Sequence, residues 1–111
     1  MSLREIKIKA GATKRLHKEH ASYFKEAEHQ KARIQRMKDE NKDEYDIKKQ
    51  YDVLDDTLKI IPDVWKRYEQ SRGQLEALLN ADPANADSPE GREAKELLDL
   101  LDATPLPKLE K

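Results

Sequence analysis

No cysteine occurs among the 111 residues. A disulfide framework and a cysteine-ligated zinc site are therefore excluded, and a chain this small without them is expected in a reducing, cytoplasmic compartment. No stretch approaches the roughly 18 consecutive apolar residues of a membrane span, so no membrane partner is expected. The opening Met1-Ser2-Leu3-Arg4-Glu5-Ile6-Lys7 carries charges where a signal peptide needs an unbroken apolar run, and the Met-Gly start of a myristoylated chain is missing. The three glycines, Gly11, Gly73 and Gly91, are scattered, so no phosphate-cradling loop can be assembled. No Gly-x-Ser-x-Gly elbow presents a nucleophile.

Charge is what the sequence has in excess. Charged residues make up 41% of the chain against 36% hydrophobic, and the mean hydropathy is -1.06. Either a disordered polyelectrolyte or an elongated helical bundle with a thin apolar seam fits these numbers. The net charge of -1 conceals an uneven distribution: residues 1–38 hold 11 Lys and Arg against four Glu, a net of +7, and residues 39–111 hold 11 against 19 acidic residues, a net of -8. Such a split steers the approach of a charged partner.

Periodicity decides between disorder and a bundle. Ile47, Tyr51, Leu54, Leu58, Ile61, Trp65, Tyr68, Arg72, Leu75 and Leu79 follow one another at steps of four and three, and only Arg72 among them is not apolar. A seam in that register belongs to packed helices. Residues 4–38 carry a weaker series in which Ile6, Leu16, Tyr23, Ala27, Ile34 and Met37 alternate with the polar Lys9, Thr13, His20 and Gln30. Gly11 is its weak point, costing about 1 kcal/mol relative to alanine. The polar residues 39–44 form the link, and either Asn41 with Glu44 or Asp43 with Asp46 could cap the second helix. Residues 80–87 read as a loop. Ser88 as N-cap, Pro89 at the first helical position and Glu90 in the first turn then start a third helix with Ala94, Leu97, Leu98 and Leu101 on its apolar face. Thr104-Pro105-Leu106-Pro107 ends it. Pro62 falls within the second helix, as a tolerated kink or as a bend shaping a binding surface. The expected fold is all-α, an elongated antiparallel bundle of two long helices and one shorter. It occupies residues 1–104, with helices at about 4–39, 44–80 and 88–103, and a flexible tail follows at 105–111.

The search for reactive groups returns little. His17 and His20 share a helical face, but no carboxylate pair on that turn completes a metal site, and His29 stands alone. Adjacent carboxylates such as Asp55-Asp56 are solvated charges unless a pocket raises a pKa, and three thin helices seldom enclose one. Leu97-Leu98-Asp99-Leu100-Leu101 matches a groove-docking pattern, yet a short helix needs those leucines for its own core. No enzyme activity, metal or cofactor is expected. The basic first helix raises nucleic acid, but an overall pI near 6.3 and the placement of Tyr23 and Phe24 on or beside the seam speak against it. An acidic protein partner is the better expectation.

Several blocks then resemble the tubulin-specific chaperone A (tubulin-folding cofactor A) family. Tyr45-Asp46-Ile47-Lys48-Lys49-Gln50 is similar to the family's Tyr-Asp-(Ile/Leu)-Lys-(Lys/Gln)-Gln run, and Ile61-Pro62-Asp63 to its mid-helix step. Ile6-Lys7-Ile8-Lys9, Lys14-Arg15-Leu16, Lys18-Glu19 and Tyr23 before Lys25-Glu26 resemble its N-terminal part, in the same order and at similar distances over residues 5–79. Trp65, Arg72 and the segment 82–87 do not match the pattern. The resemblance implies a three-helix bundle that captures quasi-native β-tubulin during folding and hands it on to other cofactors, without hydrolysing ATP. It further implies a cytoplasmic, cytoskeleton-associated protein, monomeric or homodimeric. By motif match, Lys7, Lys9, Lys14, Arg15 and Lys18 are the expected steering patch for an acidic client, and Asp46, Lys48, Lys49 and Gln50 a second contact region. The rival reading is a structural coiled-coil adaptor that self-associates through Tyr51 and Trp65 or binds other helices.

Overall fold

A computed structural model describes residues 2–106, and among them every regular element is a helix. Four helices follow one another: α1 (Ser2–Asp39), α2 (Glu44–Ala81), α3 (Pro83–Asp87) and α4 (Pro89–Ala103). The long pair forms an antiparallel hairpin, and α4 runs back along it beside the N-terminal half of α1. The molecule measures 63 × 22 × 20 Å.

The hairpin seam is a seven-residue repeat, the spacing that keeps one stripe of a helix facing its neighbour. On α1 the buried positions Ile6, Thr13, His20, Ala27 and Ile34 are seven apart. On α2 two such rows are buried, Leu54-Ile61-Tyr68-Leu75 and Thr57-Val64-Ser71. The second row corrects the expected seam, which placed Leu58, Trp65 and Arg72 there. Those three are half-buried: Leu58 packs against the cluster of Ala27, Ile34, Leu54 and Ile61 from the edge of the seam, and Arg72 reaches out to Asp102 at the end of α4. Tyr23 and Tyr51, also expected in the seam, are 36% and 39% exposed.

The hydroxyls buried in the seam find hydrogen-bond partners nearby. The Thr13 hydroxyl donates to the Lys9 carbonyl at 2.7 Å and lies 2.8 Å from the Ser71 hydroxyl, and Thr57 donates to the Val53 carbonyl at 3.2 Å. The Thr13–Ser71 layer divides the apolar core in two. Ile6, Leu75, Leu79, Ala94 and Leu98 form one cluster, Ala27, Ile34, Leu54 and Ile61 the other.

The connections follow local chemistry. Asn41 adopts φ 56, a left-handed conformation that asparagine tolerates better than most residues. Lys42 N–H reaches the Met37 carbonyl at 2.9 Å and Asn41 N–H the Lys38 carbonyl at 3.1 Å, which is a Schellman ending for α1. Asn41 thus closes the first helix instead of opening the second. Asp43 takes the N-cap position of α2, but its side chain makes no capping bond.

The segment expected as a loop contains α3, so the described residues form four helices where three were expected. Asp82 accepts from Ala84 N–H at 2.9 Å, with Pro83 in the first turn. Ser88 repeats the device for α4 by accepting from Gly91 N–H at 3.0 Å. The elbow between these helices is tight: Ser88 Oγ donates to the Asn85 carbonyl at 2.6 Å, and Asn85 Nδ2 donates to the Leu78 carbonyl at 2.9 Å. Ala94, Leu98 and Leu101 are buried; of the Leu-x-x-Leu-Leu match, Leu101 belongs to the core, Leu97 is half-buried and Leu100 is 62% exposed. Pro62 is exposed within a continuous α2. The expected tail falls largely on residues 107–111, outside the described part.

The glycines make opposite predictions. A Cβ on Gly91 would stand 1.9 Å from the Asn85 carbonyl oxygen, whereas a Cβ on Gly11 meets nothing within 4 Å. Gly91→Ala is expected to lower unfolding free energy by about 1–3 kcal/mol through overpacking, and Gly11→Ala to raise it by up to about 1 kcal/mol. Urea unfolding followed by circular dichroism measures both.

Candidate functional site

The cations expected to form a patch on α1 do not share one face. At about 100° per residue, Lys7, Lys14 and Lys18 fall within about 20° of one row, Arg15 stands about 80° from Lys7, and Lys9 lies on the far side. Lys9 is half-buried and donates to Gln74 on α2 at 2.6 Å. Lys7 and Lys14 border a shallow depression shared with Glu90 and Glu93 of α4, so part of their charge is answered within the molecule. Lys7 also joins Arg4 and Arg15 around the 58%-exposed Ile8 on the outer surface. Arg15 approaches Glu19 at 3.9 Å, an exposed pair worth little.

The second expected region lies at the hairpin tip. Asp46, Lys48 and Lys49 are exposed, and Gln50 is half-buried in line with the row of Thr57, Val64 and Ser71. Lys49 sits 4.7 Å above the ring of Tyr45, itself 63% exposed. Lys38 lies 5.1 Å over Tyr51, fixing which part of α1 faces this turn of α2. From Lys18 to Lys38 is roughly 30 Å of helix. The two regions expected from the sequence are therefore at separate stations of the molecule and are not brought together.

Between them is a cluster that sequence reasoning did not assemble. His17 contacts Tyr68 edge-on at 5.6 Å, His20 contacts Trp65 likewise at 5.6 Å, and Trp65 and Tyr68 are 5.7 Å apart. His17 Nε2 lies 2.9 Å from the Thr104 carbonyl, to which its N–H donates. Arg72 ties α2 to the end of α4 through Asp102 at 2.7 Å and also meets Glu76 and the Tyr68 hydroxyl, each at 3.1 Å. The Asp102 bond leads in holding the guanidinium charged, and Arg72 in turn pulls the Asp102 carboxyl below its ordinary value. The signals in the sequence were Arg72, the one charge in an otherwise apolar series, and the shared helical face of His17 and His20. Among the described residues no group of three or more His, Asp or Glu could hold a metal ion, and no helix is long and apolar enough to cross a membrane.

These features define a class: an all-α binding module whose exposed groups are arrayed along helix faces instead of gathered around a pocket. Within that class the chain belongs to the tubulin binding cofactor A family, whose family model matches residues 1–98. It is 41% identical over 97 residues to the tubulin-specific chaperone A of Gallus gallus, covering 87% of this chain and 90% of that one. The human tubulin chaperone cofactor A structure superposes with a TM-score of 0.79 at 36% identity, covering 92% of this chain and 99% of that one. The crystal structure of tubulin folding cofactor A from Arabidopsis thaliana gives 0.81 at 35%, covering 92% and 96%. The resemblance carried by the sequence blocks is thereby confirmed.

His20 is 1% exposed, and its Nδ1 is buried with no partner among the described residues. Burial, and then the neighbouring His17, push its imidazole below the ordinary histidine value. The unfolded chain therefore takes up a proton that native His20 resists. The molecule is expected to lose stability as pH falls through about 6.5, with the loss levelling off below the native pKa. Urea unfolding midpoints between about pH 7.5 and 5.5 test this, and His20→Leu should remove that part of the slope.

Proposed function

We propose that this chain is a tubulin-folding chaperone that captures and stabilises quasi-native β-tubulin, without hydrolysing ATP, and passes it to other folding cofactors. Membership of the tubulin binding cofactor A family over residues 1–98 carries the reading. The surface supports it: cations stand on exposed helix faces, suited to steering an acidic client by long-range attraction. Lys7, Lys14, Arg15 and Lys18 serve as the steering charges, while Lys9 is held by Gln74 and contributes less. Asp46, Lys48, Lys49 and Gln50, with the exposed Tyr45, form the contact region at the tip. The protein acts in the cytoplasm in association with the cytoskeleton, as a monomer or a homodimer.

Co-purification of the tagged chain with tubulin released from a folding reaction, scoring α- and β-tubulin separately, tests the reading. Selective retention of β-tubulin is expected, and retention of neither would end it. Replacing Lys48 and Lys49 together by Glu removes exposed charge and the surface contact of Lys49 with the Tyr45 ring, and touches no buried group. That change should leave the unfolding midpoint in place and weaken capture roughly threefold to tenfold, or about 0.7–1.4 kcal/mol. Undiminished capture would remove the tip from the interface.

A further inference from the structure

The path that α4 follows along the hairpin does not end where α4 ends. Two rows of residues spaced at sevens line it, Ala10, His17, Phe24, Lys31 and Lys38 on α1 and Tyr51, Leu58, Trp65, Arg72 and Leu79 on α2. At one end α4 occupies the path. Ala10 and Leu79 pack with Ala94 and Leu98, Arg72 binds Asp102, and His17 binds the Thr104 carbonyl. At the other end Lys38 lies over Tyr51, so the same two rows still face each other there. A 15-residue helix spans only about 22 Å, against a molecule 63 Å long. Among the described residues, no helix lies over the stretch formed by Phe24, Lys31, Lys38, Tyr51 and Leu58. Phe24 and Leu58 are half-buried and Tyr51 is 39% exposed.

We infer that this open stretch receives a helix of the tubulin client, laid end to end with α4; the inference rests on the tubulin-capture reading above. The way α4 is seated shows what fits. Its buried residues Ala94, Leu98 and Leu101 follow the i, i+4, i+7 spacing of a groove-docked helix, and Glu90 and Glu93 border Lys7 and Lys14 on α1. The open stretch repeats that chemistry, with Phe24 and Leu58 as the apolar floor and Lys31 and Lys38 as the basic wall, Lys31 also standing 3.5 Å from the exposed Glu28, a pair worth little in water. The occupant is accordingly an amphipathic helix with an apolar i, i+4, i+7 stripe and an acidic flank. From Phe24 to Lys38 there is room for roughly 20 Å of it, or about four turns.

The absence of native cysteine allows a direct test. Single variants Lys31→Cys and Tyr51→Cys carry a benzophenone label into the open stretch. Ile60→Cys carries it to the opposite face, in line with Gln74, which binds Lys9 there. Each labelled full-length chain is photolysed with β-tubulin from a folding reaction, and the attachment sites are mapped by mass spectrometry. The expected result is at least fivefold more conjugate from positions 31 and 51 than from 60, on a tubulin segment that is helical and rich in Asp and Glu. The double variant Lys31→Glu/Lys38→Glu should bind tubulin about tenfold more weakly with an unchanged helical circular dichroism spectrum. Normal capture with conjugates equal among the three positions, or strongest from 60, would overturn the groove and leave the chaperone reading standing. Conjugates between two copies of this chain instead of with tubulin would make the stretch a self-association surface and overturn the proposed occupant. No capture by the unmodified chain would overturn both readings.

Discussion

The contact between α1 and α2 runs the length of the molecule, and α3 and α4 are laid on it. With two-fifths of its residues charged, the chain cannot build a broad core, so its apolar groups are gathered on one seam at steps of seven. A seam of this kind is vulnerable to slippage, because moving one helix by a heptad again places apolar groups opposite apolar groups. The Thr13–Ser71 pair opposes that: a slip of one heptad sets Thr13 against Val64 or Leu78, and its hydroxyl loses Ser71. A buried polar pair at one level is a well-attested means of fixing helix register, at some cost in stability.

The register in turn positions the remaining elements. It sets His17 beside Tyr68 and His20 beside Trp65, and it directs Arg72 toward the flank where α4 ends. Arg72 then does what an apolar residue in its place could not, gripping Asp102 on α4 while anchored to Glu76 and Tyr68 on its own helix. At the other end of α4, the elbow through Asn85, Ser88 and Gly91 fixes the direction in which the helix starts. Between two fixed ends the leucines of α4 have little freedom to face anywhere but the hairpin.

The 3/4 spacing made the long helices legible, and the Ser88-Pro89 start made α4 legible, because both depend on neighbours along the chain. The short helix α3 carries the same signal in Asp82-Pro83, but its five residues are too few and too polar to show a period. Thr13, His20 and Gln30 counted against the first helix in the sequence, yet all three are buried. Residue type alone does not reveal that Ser71 will stand opposite Thr13. The candidate surface was legible as composition and not as geometry. The cations of α1 could be counted, but the loss of Lys9 to Gln74, the partial answer of Lys7 and Lys14 by α4, and the separation from Lys48 and Lys49 all depend on how three helices are placed.

The elongated shape has a hydrodynamic consequence. The radius of gyration is 18.9 Å, where a compact chain of this length would have about 13 Å. Such a particle diffuses slowly for its mass, so a single chain passes through a gel-filtration column ahead of globular standards of the same weight and reads as a dimer. Retention volume therefore cannot assign the number of chains in the free protein. Sedimentation equilibrium and light scattering weigh a particle without reference to its shape, and they are the techniques by which one chain is told from two.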